Sequence, residues 1–359
     1  MKNKLILTLY LGFIFIISFT SCNNNYSDSD KQRIEANLER NDPELEKLIE
    51  QIDDEFEGNI GVYAKDLGSG TTVNYKSDRL WYLSSTIKVF VAIAILQKIE
   101  AGELSLDDKV ILEESGFVDG SGDLILQKPG TSYTIRELLR RMIRNSDSVA
   151  TDMLIRLMGE DNFNDHISAN IISGGVEEIT TILQVRYDAY SELHENAAKL
   201  SNLDYVKLKS FSPMQNRLNE FIRMASIDKD DLNAKSIPDA FERYYERELN
   251  SATLLSLGLM LERLAKGEYL NDNHNNLLLD LMKNITTGDR RIKAGLPNGA
   301  VFAQKTGTQI GRAGNMGIIF SDNKPMIVIV VFTEKYNELG KAELAFQKAG
   351  RLIAGKWLK

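Results

Sequence analysis

The chain has 359 residues, and its 43 Lys and Arg against 51 Asp and Glu give a formal net charge of −8. Hydrophobic residues make up 43% of the sequence, an ordinary globular composition that suffices for one large domain or two joined subdomains. The acidic charge argues against nucleic acid as a partner, and three histidines with a single cysteine are too few for a structural zinc site or a disulfide framework.

Residues 1–21 have the pattern of an export signal. Lysines precede a mostly apolar run from Leu5 to Phe19, which is shorter than the roughly 20 residues that span a bilayer. The only cysteine, Cys22, follows, and the stretch resembles a bacterial lipoprotein signal, whose cysteine is lipidated. We therefore expect export and a lipid anchor in the cell envelope, in the periplasm or on the outer surface. The alternative is a secretory signal beside which Cys22 is incidental.

The folded domain is expected to span 43–359. The preceding stretch, 22–42, begins with a polar run that has no apolar content to fold, which favours a flexible tether. Asp42 followed by Pro43 is typical of a helix start, with the carboxylate as cap and the proline in the first turn. Apolar spacing extends this helix to about Phe56.

Strands are predicted at both ends of the domain, with helices between them. The turn at 321–325 is short enough to join two strands directly, so the sheet must be largely antiparallel. We expect an α/β part over 43–105 and 290–359 and a helical part over 106–289. The predicted strands are 60–65, 72–75, 301–306, 317–320 and 326–333, and a helix to Trp357 closes the chain.

The segment from Ser85 to about Glu100 is predicted to be a buried central helix, because it is hydrophobic nearly all round. The helical segments after it alternate apolar and polar residues with a helical period, which is typical of helices that pack one face on a core. These amphipathic segments lie near 134–158, 212–225, 239–267 and 274–284.

Ser85 and Lys88 stand three residues apart at the start of the central helix, so the amine can reach the hydroxyl. Burial would lower the pKa of this lysine and let it act as a base on the serine. Ser-x-x-Lys also occurs by chance, and it recurs at Ser321 to Lys324. Ser85 is distinguished by its place at the N-terminus of a buried helix, where free N–H groups can stabilise an oxyanion.

Two further motifs follow in the chain. Ser-Asp-Ser at 146–148 begins a predicted helix, and on its own it is typical of a helix cap. Lys-Thr-Gly-Thr at 305–308 ends a predicted strand. A lysine and hydroxyls beside a glycine form a compact site for a carboxylate, and the glycine gives close access to the backbone. Each motif alone also fits a purely structural role.

Together, Ser-x-x-Lys, Ser-Asp-x and Lys-Thr-Gly in this order resemble the penicillin-recognising serine enzymes, nearest to class A β-lactamases. The resemblance runs from about residue 43 to the C-terminus. It implies an α+β fold with an antiparallel sheet of about five strands flanked by helices, an all-helical subdomain, and an active site between them. Ser-Asp-Asn at 321–323 fits the second motif better by its letters, but it lies after Lys-Thr-Gly in a polar turn and is predicted to be a hairpin loop. Further matches lie at 129–131, 134–139, 294–297 and 313–317.

The resemblance also implies a role for each motif. Ser85 would attack a carbonyl and form an acyl-enzyme, Lys88 would help to activate it, and Ser146 would relay a proton to the departing nitrogen. Backbone N–H groups of Ser85 and Thr308 would form the oxyanion hole. No metal or organic cofactor is required. The substrate-binding residues would be Ser148, Lys305, Thr306, Gly307 and Thr308.

The sequence departs from class A enzymes where their deacylating glutamate stands, in a loop reading roughly Glu-x-Glu-Leu-Asn. Anchoring the match on Arg186 and Tyr187 puts Asp188 in that place, one methylene short. Anchoring it on Glu192 and Leu193 puts Tyr190 there instead. Asp188 is our first candidate for the base, and Glu192 and Glu195 remain alternatives.

Two other departures concern the substrate site. Ser148 stands where the family has an asparagine that contacts the side-chain amide of the substrate, and a hydroxyl is shorter and offers no paired donor and acceptor. Roughly 40 residues beyond the usual length are inserted at about 200–249. We expect this insertion to flank the site and to reshape or cover it.

We expect a monomer whose site binds a small molecule. Three functions are possible. The first is a class A-like serine β-lactamase, which hydrolyses β-lactam amides through an acyl-enzyme. The second is a D,D-peptidase-like or slowly acylating penicillin-binding protein that acts on cell-wall peptides, which the missing glutamate favours. The third is a non-catalytic envelope protein whose inserted helices bind a partner. The intact Ser85, Lys88, Ser146 and Lys305 argue against this third function.

Overall fold

The computed structural model describes residues 26–322 and 324–358, so the predicted signal and Cys22 lie outside the described residues. The strands are β1 (Asn59–Asp66), β2 (Thr72–Tyr75), β3 (Leu80–Tyr82), β4 (Lys109–Ile111), β5 (Ser132–Thr134), β6 (Ser251–Thr253), β7 (Val301–Gln309), β8 (Arg312–Ser321) and β9 (Lys324–Glu334).

The α-helices include one that begins before the expected domain boundary. They are α1 (Asp28–Glu39), α2 (Pro43–Glu55), α3 (Lys88–Glu100), α4 (Ile135–Arg144), α5 (Ser148–Met158), α6 (Glu160–Asn170), α7 (Ile182–Ser191), α8 (Asn202–Lys209), α9 (Met214–Ala225), α10 (Ile237–Tyr245), α11 (Leu254–Ala265), α12 (Asp272–Lys283), α13 (Ile292–Gly295) and α14 (Leu339–Trp357). None of the helices in the described part of the chain is long and apolar enough to cross a membrane.

The main sheet has five antiparallel strands in the order β2-β1-β9-β8-β7, which confirms the predicted α+β fold. The pairing of β1 with β9 joins the two ends of the domain, with Gly61 opposite Phe332. The predicted hairpin between β8 and β9 is present, and Asp322 has a φ of +48° at its turn. Ser321 ends β8 and Asp322 follows in the turn, so these two residues of the Ser-Asp-Asn match lie in this hairpin, as expected.

The two faces of the sheet bury two different cores, because successive side chains of a strand point to opposite faces. Val62 packs with α2 and α14 on one face, whereas its neighbour Tyr63 packs with the helical part on the other. Helix α3 lies in this second core and is buried from Val89 to Leu96, as its apolar sequence predicts. Its first residue, Lys88, is equally buried, although the other buried residues of this helix are apolar.

The stretch 22–42 was expected to be a flexible tether, and for Asp28–Glu39 this is wrong. The helix α1 there is held by polar tertiary contacts that composition does not reveal. Asp30 is buried, forms an ion pair with Arg263, and accepts a hydrogen bond from Ser173 Oγ at 2.6 Å. Ile34 is buried in the core beside it.

Two predicted helical segments are interrupted, and both interruptions serve the site. The segment 134–158 is broken into α4 and α5 at Ser146, whose φ is +56°. The segment 239–267 is broken into α10 and α11 by Asn250, with a φ of +54°, and by β6, which pairs with β3. Helical periodicity continues across each break, so the sequence pattern alone did not reveal them.

The inserted region contains α8, α9 and α10, and with α7 it forms a third core of its own. Aromatic side chains dominate that core and pack edge to face or tilted, with ring centroids 5.2 Å apart for Tyr190 and Tyr205 and 5.4 Å for Tyr190 and Phe221. The predicted helix near 214–224 is present as α9. The insertion is therefore a folded layer against α7.

Candidate active site

Ser85 lies in a turn of 3-10 helix, Ser84–Ile87, directly before α3. Its position is fixed from both sides. Ser84 has a left-handed φ of +49°, and Leu83 N donates to Asn250 O at 2.8 Å. On the strand side a Cβ on Gly307 would lie 2.7 Å from Leu83 O and 2.9 Å from Ser85 N. Only glycine lets β7 approach the nucleophile this closely.

Lys88 has the geometry and the pKa of a base on Ser85. Its Nζ lies 3.0 Å from Ser85 Oγ, 3.1 Å from Ser146 Oγ and 2.6 Å from Ser146 O. Complete burial lowers the pKa of Lys88 to about 7, against the attraction of the Asp147 and Asp152 charges. A large fraction of the amine is thus uncharged at neutral pH and able to accept the serine proton.

Ser146 bridges the two lysines of the site. Lys305 Nζ lies 3.0 Å from Ser146 Oγ and donates to Thr306 O at 2.9 Å. Burial and the nearby Lys88 and Arg291 charges lower the pKa of Lys305 well below its ordinary range. Asp147 caps α5 and binds the backbone N–H groups of 123 and 124, so the second motif is both a helix cap and part of the site.

Arg291 is a site residue that the sequence analysis missed. Its guanidinium donates to Thr308 Oγ1 at 2.6 Å and to the carbonyls of Gly307 and Gly314 at 2.9 Å each. It is buried just before α13 and adds positive charge beside Lys305. An arginine fourteen residues before Lys305 carries no local signal, because its role arises only when this segment packs on β7 and β8.

The cavity at Ser85 has two walls of different origin. The strand wall is lined by Thr308 and Gln309 of β7, which continue the strand from residues 305–307, and Arg291 holds Thr308 from behind. The helix wall consists of Gly120, Ser148 and three residues of α7, Ile182, Val185 and Arg186. The cavity volume is about 70 Å³, well below the roughly 300–1,000 Å³ of sites that enclose a drug-sized ligand. A substrate must therefore widen it or leave part of its bulk outside.

Asp188 is not brought to this cavity. Its carboxylate accepts a hydrogen bond from Gln184 Nε2 at 3.1 Å and lies 3.4 Å from Arg247 Nη1. Residues of α7 that face the cavity include Val185 and Arg186. Asp188 does not line the cavity, because its carboxylate is engaged by Gln184 and Arg247, so the prediction that it stands beside Ser85 is wrong.

The other acids of this segment also lie elsewhere. Glu192 ends α7, Glu195 begins a 3-10 helix, and Tyr190 is buried in the core of the insertion. Among the described residues, those that line the cavity include no carboxylate.

Asp152 is the buried acid that the sequence analysis did not single out. Its two oxygens accept hydrogen bonds from Ile182 N at 2.7 Å and Leu183 N at 2.9 Å, so it caps the start of α7. Burial raises the pKa of Asp152 to about 6, although these hydrogen bonds and the nearby Arg156 and Lys88 act the other way. An acid on the otherwise apolar face of α5 was the signal that could have found it.

The insertion reaches the cavity through Asn250. Asn250 Oδ1 accepts from Thr180 N at 3.0 Å, and its Nδ2 donates to Tyr244 OH and Thr180 Oγ1 at 2.9 Å each. Its carbonyl also accepts a hydrogen bond from Leu83 N, directly before the turn that holds Ser85. The inserted layer therefore flanks the site, as expected, and its fold is coupled to the position of Ser85.

Known proteins that are similar to this chain include two β-lactamases. The β-lactamase SME-1 of Serratia marcescens is 25% identical over 309 residues, covering 85% of this chain and 86% of the relative. The carbapenem-hydrolyzing β-lactamase KPC of Klebsiella oxytoca is 24% identical over 305 residues, covering 84% and 85%.

Solved structures share the fold at lower identity. PBP-A superposes with a TM-score of 0.63 at 21% identity, covering 89% of this chain and 97% of that one. An ancestral class A β-lactamase superposes with a TM-score of 0.64 at 19% identity, covering 87% and 99%. The model of the β-lactamase enzyme family matches residues 44–357. The chain belongs to the β-lactamase enzyme family.

Proposed function

We propose that this chain is a class A-like serine β-lactamase. It hydrolyses β-lactam amides, and Ser85 is the residue that becomes acylated. The observation that carries the proposal is the fully buried Lys88 amine, with a pKa of about 7, at 3.0 Å from Ser85 Oγ. The family and its β-lactam-hydrolysing relatives support the same reaction class.

Acylation uses the chain of groups between the two lysines. Ser85 Oγ attacks the lactam carbonyl carbon while its proton passes to the Lys88 amine. The ring C–N bond then breaks, and Ser146 gives its proton to the departing nitrogen as it takes one from Lys88. Backbone N–H groups of Ser85 and Thr308 bind the oxyanion, and positive charge from Lys305 and Arg291 attracts the substrate carboxylate.

Hydrolysis of the acyl-enzyme needs a base for the attacking water. Because the relay through Ser146 returns Lys88 to its neutral form, this amine, hydrogen-bonded to Ser85 Oγ, is the base that we assign to deacylation. Lys88 must then activate the water without the glutamate that does so in class A enzymes. We therefore expect deacylation to be slower than acylation.

The second candidate is a penicillin-binding protein of the D,D-peptidase type, in which the acyl-enzyme persists and the natural substrate is a cell-wall peptide. The absence of a carboxylate among the described residues that line the cavity favours it. The structural likeness to PBP-A, of which a single-site mutant was solved as an acyl-enzyme complex with penicillin G, supports it as well.

Intact-mass measurement over time distinguishes these functions. The protein is mixed with a few equivalents of benzylpenicillin, and Ser85→Ala is the control that cannot be acylated. An adduct that forms and disappears as hydrolysed product accumulates supports the β-lactamase. An adduct that persists supports the penicillin-binding protein. No adduct in the wild type would contradict both.

We further propose export and lipid anchoring through Cys22. Tyr26 OH lies 2.7 Å from Ser256 Oγ, and Ser27 N donates to Ser173 Oγ at 2.7 Å. Four residue steps separate Cys22 from Tyr26, so the anchor would hold the domain within about 14 Å of the membrane surface. If the proposal is correct, the wild type should be found in the membrane fraction and should incorporate a radioactive fatty acid. Cys22→Ala should do neither.

A further inference from the structure

Arg186 lines the cavity at Ser85 and has a hydrogen-bonding group that nothing uses. The residue is buried, with 8% of its surface exposed. Its Nε is paired with the carboxylate of Asp119, and its Nη2 donates to Asp119 O at 3.3 Å. Its Nη1 is buried and has no hydrogen-bond partner among the described residues. A buried donor without an acceptor is costly, and an anion is the acceptor that suits a guanidinium best.

Positive charge exceeds negative charge around this group. The charges of Arg186, Arg217 and Asp119 all influence the pKa of Lys209 and the pKa of Tyr190. Arg217 Nη2 also donates to Lys209 O at 3.2 Å. Arg186, Arg217 and Lys209 thus lie within electrostatic range of one another and of Asp119, and Lys209 and Arg217 come from the insertion.

The place of Arg186 determines which part of a substrate it would meet. The substrate carboxylate belongs at the strand wall, beside Thr308 and Arg291. The acyl side chain therefore extends toward the helix wall, where Ser148 stands. Gly120 packs so closely there that a Cβ on it would lie 2.2 Å from Ser148 Oγ. Ser148 and Arg186 both line this cavity, and serine is the shorter side chain where the family has an asparagine.

We propose that Arg186 makes the helix wall an anion subsite, so that the preferred substrate carries a second carboxylate on its acyl side chain. This inference rests on the proposed acylation of Ser85. It assigns a substrate class, acyl groups with an acidic side chain, whether the amide is a β-lactam or a peptide.

A matched pair of penicillins tests it. Carbenicillin is benzylpenicillin with an added carboxylate on the α-carbon of its side chain. The quantity measured is the ratio of their second-order acylation rate constants, obtained from intact mass. The wild type should be acylated faster by carbenicillin. Arg186→Gln combined with Asp119→Asn, which removes both charges of the pair, should lower the ratio at least about tenfold.

Two variants complete the design. Asp119→Asn alone leaves Arg186 without its counter-charge and should raise the ratio. Arg223→Gln, which removes an exposed arginine of α9 that pairs with Glu220, should leave the ratio unchanged. If the double variant does not fold, the Asp119→Asn result decides.

The outcomes separate this inference from the proposed function. A ratio within twofold of wild type in the folded double variant, or in Asp119→Asn, overturns the anion subsite while acylation itself stands. No adduct with either penicillin overturns the proposed function and the subsite with it.

Discussion

The two walls of the Ser85 cavity differ in how closely they keep the family pattern. On the strand wall Lys305 reaches Ser146, and Thr308 is held by Arg291. On the helix wall a serine stands where the family has an asparagine, and α7 presents Arg186. The residues to which we assign acylation keep the family pattern, whereas those that would meet the acyl chain and the hydrolytic water depart from it. The difference between the walls therefore predicts familiar acylation chemistry and altered substrate preference and deacylation.

The largest expected effect comes from replacing Lys88, the proposed base. Lys88→Met should lower the acylation rate constant by about 10³-fold, because the proton of Ser85 loses its acceptor. Lys88→Arg should be equally slow, since an arginine keeps the positive charge and does not deprotonate near neutral pH. Stopped-flow acylation by benzylpenicillin measures both, with Lys98→Met as the control, since Lys98 lies on the same helix, is half-buried and pairs with Glu103 away from the site. Near wild-type acylation in Lys88→Arg would contradict the role of Lys88 as base.

A smaller effect is expected at the back of the strand wall. Arg291→Gln should lower the second-order rate constant of acylation by about 10- to 100-fold, because Thr308 loses its donor and the substrate carboxylate loses a charge. Arg290→Gln is the matched control, since this neighbour is exposed and pairs with Glu343. Equal rates in the two variants, both folded by thermal melting, would remove Arg291 from the site.

The buried acid Asp152 influences the pKa of Lys88. Its negative charge raises the pKa of Lys88, so Asp152→Asn should lower that pKa further. The pH at which acylation reaches half its maximal rate should therefore move to lower pH than in the wild type. Asp161→Asn, an exposed acid of α6, should not move it. A shift to higher pH in Asp152→Asn would show that the charge of Asp152 does not act on Lys88.

The smallest effect is expected at Asp188. Because its carboxylate is engaged by Gln184 and Arg247 and does not line the cavity, Asp188→Asn should change the deacylation rate less than about twofold. The decay of the acyl-enzyme mass measures this rate. A tenfold slower decay would restore Asp188 as the deacylating base.

The nucleophile, its lysine and the five-stranded sheet could be predicted because each depends on a local pattern. Ser85 and Lys88 are adjacent on one helix turn, and the strands carry their own hydrophobic runs. The order of three short motifs then located Ser146 and Lys305, which no spacing rule would have brought together.

The remaining features depend on tertiary packing. Arg291 gains its role from contact with β7, and Asp152 from capping a helix thirty residues away. The contacts of the Asp188 carboxylate with Gln184 and Arg247 also arise from packing, which a loop match cannot supply. Helix α1 is held by a buried ion pair between Asp30 and Arg263, and its own composition gave no indication of it.

The pH dependence of acylation in the wild type tests whether Lys88 is the base. Burial gives Lys88 a pKa of about 7, so the amine should take the proton of Ser85 at neutral pH. The single-turnover acylation rate with benzylpenicillin, measured from pH 5 to 9, should rise with a midpoint near pH 7. A rate that is constant between pH 5 and 8 would contradict the claim.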